Sequence, residues 1–397
     1  MFRGDAARTG YLTNITSISP TEWNYSLYSP VLSSPALSNG LVFIKDGHLL
    51  CINASTGAKV WESSTTFFQQ FSSPVVSDGY VYACNDLYGT SGGEVYAFNE
   101  STGEQVWSFP ANVGSSTPEV ANGILYVGSD NGNIYALNAY TGHRIWNYST
   151  GGAVNSSPAI ANGIVYVGAN DGNVYAVNGS SGSKIWNYTT GIAVKYPFIS
   201  SPAVANGMVY IGSDNTSIYA LNATSGAKVW NFPTESSTIS TPAVSDDYLF
   251  TASSSYIYAL NSSTGNEIWK FHIAPAHAPN GDEPSSPAIA NGVVYFNCYD
   301  FNLYALNATT GDKIGNFIVI QHDNDSLIRD SSPAVASNQT VYVGMDETLY
   351  AINVESFNSL KTSSSPLLLY ILPAAIAIVI IVLLTFAIFH RRKRKQM

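Results

Sequence analysis

The sequence predicts an all-β fold: an eight-bladed β-propeller of four-stranded antiparallel blades, closed by an N-terminal strand and followed by one C-terminal transmembrane helix. Three observations predict it. A segment of about forty residues recurs eight times along the chain. Aromatic residues make up 13% and charged residues only 11% of the 397 positions, a mixture that suits many short strands joined by tight turns. Within each copy the apolar residues lack the 3.6-residue spacing that helical repeats of similar period need.

The copies are plain to the eye. SPAIANGIVYVGANDGNVYAVNGSSGSKIWNY, from Ser157, is echoed by TPEVANGILYVGSDNGNIYALNAYTGHRIWNY from Thr117 and by SPAVANGMVYIGSDNTSIYALNATSGAKVWNF from Ser201. Aligned on the Ser/Thr-Pro pair, the prolines are Pro35, Pro74, Pro118, Pro158, Pro202, Pro242, Pro287 and Pro333, 39 to 46 residues apart. Four strands of five or six residues with their turns fill that period.

In the unit from Ser157, strand A is expected over Ser157 to Ala161, B over Ile164 to Gly168, C over Asn173 to Asn178 and D over Lys184 to Tyr188. Asn162-Gly163 and Asp171-Gly172 supply the positive φ angles of two-residue hairpins. Ile164-Val165-Tyr166-Val167 is apolar on both faces, as a sheet sandwiched between two others requires.

The ends of the repeat array predict how the ring closes. The eighth unit runs from Ser332 to Asn353 and then lacks a Thr-Gly-x-x-x-Trp segment, while Trp23-Asn24-Tyr25 repeats Trp146-Asn147-Tyr148 and Trp186-Asn187-Tyr188. An N-terminal strand therefore completes the last blade, which leaves only short protected edges.

Beyond the propeller, residues 1–354, a Ser-rich linker spans 355–366, and the uncharged apolar stretch 367–389 is long enough at the helical rise to cross roughly 30 Å of hydrocarbon. Pro373 lies near its first end, where a kink does not prevent insertion. The tail 390–397 holds Arg391, Arg392, Lys393, Arg394 and Lys395, five of the chain's seventeen basic residues. The positive-inside bias keeps that tail cytoplasmic, giving a single-pass protein of the cell membrane with its propeller outside. That orientation needs an export signal, whereas Met1-Phe2-Arg3-Gly4-Asp5 opens with no apolar h-region. An earlier start is one reading of this, and a tail anchor of opposite orientation is the other.

With the tail set aside, the net charge of -10 belongs to a strongly acidic body, and no Lys/Arg stripe with interleaved aromatics appears. Nucleic acid is excluded as a partner. Asn-x-Ser/Thr triplets at Asn14, Asn24, Asn53, Asn99, Asn147, Asn155, Asn178, Asn187, Asn215, Asn222, Asn261, Asn307, Asn324 and Asn338 point to an exported glycoprotein, although the repeat itself generates several of them. Cys51, Cys84 and Cys298 match no metal-ligand spacing and are expected to be free and buried.

The segments Gly142 to Trp146, Gly182 to Trp186, Gly226 to Trp230 and Gly265 to Trp269, each preceded by Tyr-Ala-x-Asn, resemble the tryptophan-docking motif of pyrroloquinoline-quinone (PQQ) repeats. The resemblance spans about residues 1 to 353, and Phe2 to Gly10 is similar to the lead-in such proteins carry. It implies that Trp23, Trp61, Trp107, Trp146, Trp186, Trp230 and Trp269 each pack on the neighbouring blade. Gly315 stands where blade seven's Trp belongs, which predicts a looser joint there. The family holds quinoprotein dehydrogenases, with PQQ and a metal over the channel, and non-enzymatic scaffolds similar to BamB. The vicinal disulfide common in the dehydrogenases has no counterpart here, and no catalytic residue is carried over.

Strand order places the B–C turns and the D–A links on one rim. The link from blade six to seven carries His272, His277, Asp282 and Glu283; the link from seven to eight carries His322, Asp323, Asp325, Arg329 and Asp330; Asp300 projects between them. These residues form the candidate site, able to take a divalent cation or a polar ligand such as a sugar or peptide, beside the plainer reading that long surface links are simply polar. Asp130, Asp171 and Asp214 sit in turns that favour Asp for backbone reasons, Tyr166 and Tyr175 read as core, and Asn85 to Gly93 is a Gly-rich turn without the Lys-Ser/Thr of a phosphate loop.

No nucleophile elbow, zinc-protease helix or Walker sequence occurs. The expected function is a binding or scaffold propeller for an envelope protein or glycan, with no cofactor; a PQQ-dependent oxidoreductase using PQQ and calcium is the alternative. An adhesive, glycan-shielded envelope component is a further reading. Sparse charge with abundant Asn, Ser and Thr also suggests a wall facing an acidic exterior.

Overall fold

The computed structural model describes residues 11–12, 23–67, 72–85, 92–191, 200–236, 240–273, 284–298, 302–318, 331–337, 340–345 and 347–353. The chain divides into two compact units, Met1–Val354 and Glu355–Met397, and every described residue belongs to the first. The linker, the apolar stretch 367–389 and the basic tail lie outside the described residues. Among the described residues no helix is long and apolar enough to cross a membrane.

The first unit consists of eight antiparallel sheets, seven with four strands and one with five. The strand boundaries expected from the repeat hold closely. In blade four, strands A to D are Ala159–Ala161, Ile164–Gly168, Asn173–Asn178 and Lys184–Thr189. Strand A starts later than its sequence pattern because Pro158 has no N–H for a ladder, and the Ser157 N–H donates to Ser201 Oγ of the next blade at 2.9 Å instead. The A–B turn places Asn162 and Gly163 at φ of 51° and 73°, the signature of a type I′ hairpin.

Each core lies between blades. Ala159, Tyr166, Ala176 and Trp186 of blade four pack against Val204, Val209, Ile211, Tyr219 and Leu221 of blade five. Strand B is buried on both faces for this reason, and Val165, Tyr166 and Val167 are all at most 1% exposed.

Seven tryptophans lock the joints. The indole N–H of Trp23, Trp61, Trp107, Trp146, Trp186, Trp230 and Trp269 donates to the carbonyl of Ala54, Glu100, Ala139, Gly179, Ala223, Ser262 and Ala308 respectively, at 2.7–3.0 Å. A glycine of the adjoining C–D turn lies flat beneath each indole: a Cβ on Gly57, Gly103, Gly142, Gly182, Gly226, Gly265 or Gly311 would stand 2.5–2.8 Å from the ring. A buried tyrosine of strand B often uses the same carbonyl's second lone pair, as Tyr166 Oη does on Ala223 at 3.0 Å and Tyr342 Oη on Ala54 at 3.0 Å.

Closure follows the predicted plan. Trp23–Ser26 is the outer strand of blade eight, with Trp23 opposite Ala351 as Trp146 is opposite Ala136. The fifth strand of that sheet was not expected: Tyr11–Leu12 pairs in parallel with Val335 and Ala336 on the inner edge of strand A. The N-terminal segment thus contributes to both the innermost and the outermost strand of one blade.

Candidate functional site

The B–C turns and D–A links do share one rim, joined by backbone bonds such as Asp130 N to Asn112 O and Asn170 N to Ala153 O. The turn aspartates serve this junction. Asp171 accepts from Asn173 N within its own turn at 3.1 Å, and also from Gly151 N of the adjacent link and Tyr175 Oη. The Asp130 carboxylate lies over Gly114 of its link and would have to shift to admit a Cβ there. Burial pushes Asp130 and Asp214 above the ordinary carboxylate range. A cavity of about 20 Å³ beside Asp214, lined by Gly168, Thr190 and Ser213, has room for a single water.

Of the ten candidate rim residues only His272 lies among the described residues. It ends strand D of blade six, exposed, with its ring centroid 4.8 Å from that of Tyr256. Lys270 Nζ lies 4.9 Å from the same tyrosine ring and 3.4 Å from Glu235 Oε1, so His272 belongs to a surface cluster on blade six. His277, Asp282, Glu283, Asp300, His322, Asp323, Asp325, Arg329 and Asp330 lie outside the described residues, as does most of the turn from Asn85 to Gly93. Among the described residues no three His, Cys, Asp or Glu side chains gather closely enough to hold a metal ion. Cys51, Cys84 and Cys298 are buried and form no disulfide, as expected, and burial raises the Cys51 thiol to about 12.

One position of strand B was missed. Its fifth residue is glycine in four blades, Gly128, Gly168, Gly212 and Gly344, where a side chain at Gly128 would run into Val154 of the next link. Blade six has Ala252 there, and three blades carry larger groups: Lys45 in blade one, Cys84 in blade two and Asn297 in blade seven. Lys45 is fully buried, donating to Ser72 Oγ at 2.8 Å and to the Cys84 carbonyl at 2.9 Å, with its ammonium 5.5 Å from the centre of the Phe67 ring. Its neighbour Asp46, also fully buried, accepts from the Tyr28 and Ser29 N–H groups and from Ser29 Oγ. Burial raises its carboxyl despite those bonds. Asn297 is fully buried, and its side-chain amide has no hydrogen-bond partner among the described residues. Misfit to the repeat at this one column was the available signal.

Blade seven also carries the odd joint. Gly315 pairs with Ala305 in the register that tryptophans occupy elsewhere, so the alignment is right and the indole is missing. The sequence shows a matching loss on the other side, since the turn glycine found four residues after Asn53 or Asn307 is replaced by Phe357 after Asn353. An aromatic contact survives, with Phe317 and Tyr350 ring centroids 6.0 Å apart.

A family model described as outer membrane protein assembly factor BamB matches residues 19–91, 91–202 and 190–370, most of the chain. The chain belongs to that family of PQQ-repeat propellers. The fold of this BamB-type chain is similar to the crystal structure of BamB from Moraxella catarrhalis, with a TM-score of 0.65 and 16% identity over 83% of this chain and 97% of that one. It is equally similar to quinohemoprotein alcohol dehydrogenase from Comamonas testosteroni, with a TM-score of 0.66 and 13% identity over 88% and 79%. The computationally designed protein Ika8 has a TM-score of 0.68 and 15% identity over 83% and 98%. No curated protein matches by sequence. At such identities the structural likenesses speak to the fold alone.

Proposed function

We propose that this propeller is a membrane-anchored, outward-facing scaffold that binds a protein or glycan of the cell envelope through the sector around blade seven. One observation carries the proposal: three departures from the repeat coincide in blade seven and the links that flank it. Gly315 replaces the docking tryptophan, Asn297 replaces a glycine and leaves a buried amide unsatisfied, and the flanking links are the ones rich in His, Asp and Glu. The family match to an assembly factor supports a protein partner, and the apolar stretch 367–389 supports the anchor.

The alternative is a PQQ-dependent oxidoreductase, favoured by the fold shared with quinohemoprotein alcohol dehydrogenase. The described residues do not fit that group: they gather no carboxylate set for calcium, and the three cysteines stand far apart in the sequence. Two measurements separate the readings. Photocrosslinking in cells from position 316, on the outer strand of blade seven, is expected to give a discrete protein adduct that position 231 of blade five does not. Identical behaviour at the two positions argues against a blade-seven partner site. Saturable binding of PQQ with calcium, accompanied by redox cycling, replaces the scaffold reading with the oxidoreductase.

A further inference from the structure

The Asn-x-Ser/Thr triplets fall into separate structural classes. Six of them, at Asn53, Asn99, Asn178, Asn222, Asn261 and Asn307, end strand C. In each, Oδ1 accepts from the backbone N–H groups two and three residues on, as Asn222 does from Thr224 at 3.1 Å and Ser225 at 2.9 Å. Asn138 makes the same two bonds although Tyr140 breaks its triplet. The turn therefore explains the asparagine by itself, without appeal to a glycan. Asn155 is buried, and Asn215 spends its Nδ2 on Thr190 O and Tyr219 Oη. Asn14, Asn324 and Asn338 lie outside the described residues.

Asn24, Asn147 and Asn187 stand instead on strand D, and of these Asn147 donates its Nδ2 to Asn133 Oδ1 at 3.1 Å across the blade surface. Each is exposed, as is the hydroxyl residue two positions on, Ser26, Ser149 and Thr189. Each stands just after the docking tryptophan on strand D, the outermost strand of its sheet, whose far side meets no further strand. Such an edge invites pairing with another chain unless it is blunted. Four blades blunt this half of the strand in other ways: Glu62 and Lys270 put a charge at the same position in blades one and six, and Pro110 and Pro233 end the strand in blades two and five. Blades three, four, seven and eight have neither device there; three, four and eight carry the triplet, and blade seven has Asn316-Phe317-Ile318 instead. In blade five Pro233 is the third residue of the segment Asn231-Phe232-Pro233, so one residue removes the triplet and protects the edge.

We infer that Asn24, Asn147 and Asn187 bear N-linked glycans whose role is to cover these three strand edges, and that the strand-C asparagines bear none. The inference rests on the outward location proposed above. Glycopeptide mass spectrometry on the full chain, purified from membranes of its source, tests it: sugar is expected on the peptides containing Asn24, Asn147 and Asn187, and the six turn peptides are expected bare. The triple variant N24Q/N147Q/N187Q is expected to migrate as a smaller species and to self-associate at concentrations where the parent stays monomeric. Sugar on the turn asparagines, or an unaltered monomer after the triple substitution, overturns the assignment. Labelling of intact cells with a membrane-impermeant amine reagent keeps the two readings apart. Modification of Lys184 and Lys228 on an unglycosylated chain refutes the glycans alone, whereas unmodified lysines with no sugar refute the outward location and the glycans together.

Discussion

At the scale of single residues the joints depend on a pair that only works together, an indole and the glycine beneath it. Trp186 is 8% exposed and bonded to Ala223, while Gly226 under it holds φ at 70° with no space for a Cβ. Trp186→Ala is expected to cost about 3–5 kcal/mol by leaving a cavity and removing one of the two hydrogen bonds to the Ala223 carbonyl. Gly226→Ala is expected to cost at least about 1–3 kcal/mol through backbone strain alone. Urea unfolding of the three chains checks both, and near-zero losses would mean that the joints are held elsewhere. The tryptophan docks were legible through the resemblance of the repeated motif to PQQ repeats, whereas the glycine beneath each indole emerges only from the structure. Lys45, Asp46 and Asn297 were not legible, since a lone lysine or asparagine at a strand end looks like surface until the column of glycines beside it shows that the position faces inward.

Among elements, strand D of blade seven, Lys313–Ile318, is the exception. It keeps the register and the Phe317–Tyr350 contact of its neighbours but has no indole to bind the next blade. Hydrogen exchange should therefore be faster across Lys313–Ile318 than across Lys184–Thr189 of blade four. Equal protection would show that the surviving aromatic contact suffices. Strand order, hairpin type and this joint followed from the repeat alone. The parallel strand Tyr11–Leu12 did not, because two residues offer no periodicity, and its partner lies more than three hundred positions away in the sequence. The candidate links were found by their length and charge, which locate a site without ordering its side chains.

For the molecule as a whole, acidity and burial act in the same direction. Asp46, Asp130 and Asp214 all have carboxyls raised by burial, so the folded chain takes up their protons more readily than the unfolded chain does. Their stabilising contribution is complete below the unfolded carboxylate value and is lost as the pH rises through the raised folded values. Lowering the pH also relieves the self-repulsion of a body whose net charge is -10 even with its basic tail. The propeller is expected to be at least as resistant to urea at about pH 4 as at about pH 7, and Asp130→Asn is expected to flatten the difference. A midpoint that falls steadily on acidification would contradict this and would remove the case for an acidic exterior.

The blade shared by both ends of the chain also sets an order of events in time. Trp23–Ser26 leaves the ribosome early, while its partner Thr348–Asn353 comes more than three hundred residues later. At about 5–20 residues per second that delay is roughly 15 to 65 s, during which seven blades can stack only as an open arc. Tyr11–Leu12 and Trp23–Ser26, made early, are among the last strands to find their places, so the ring is finished in a late step rather than blade by blade.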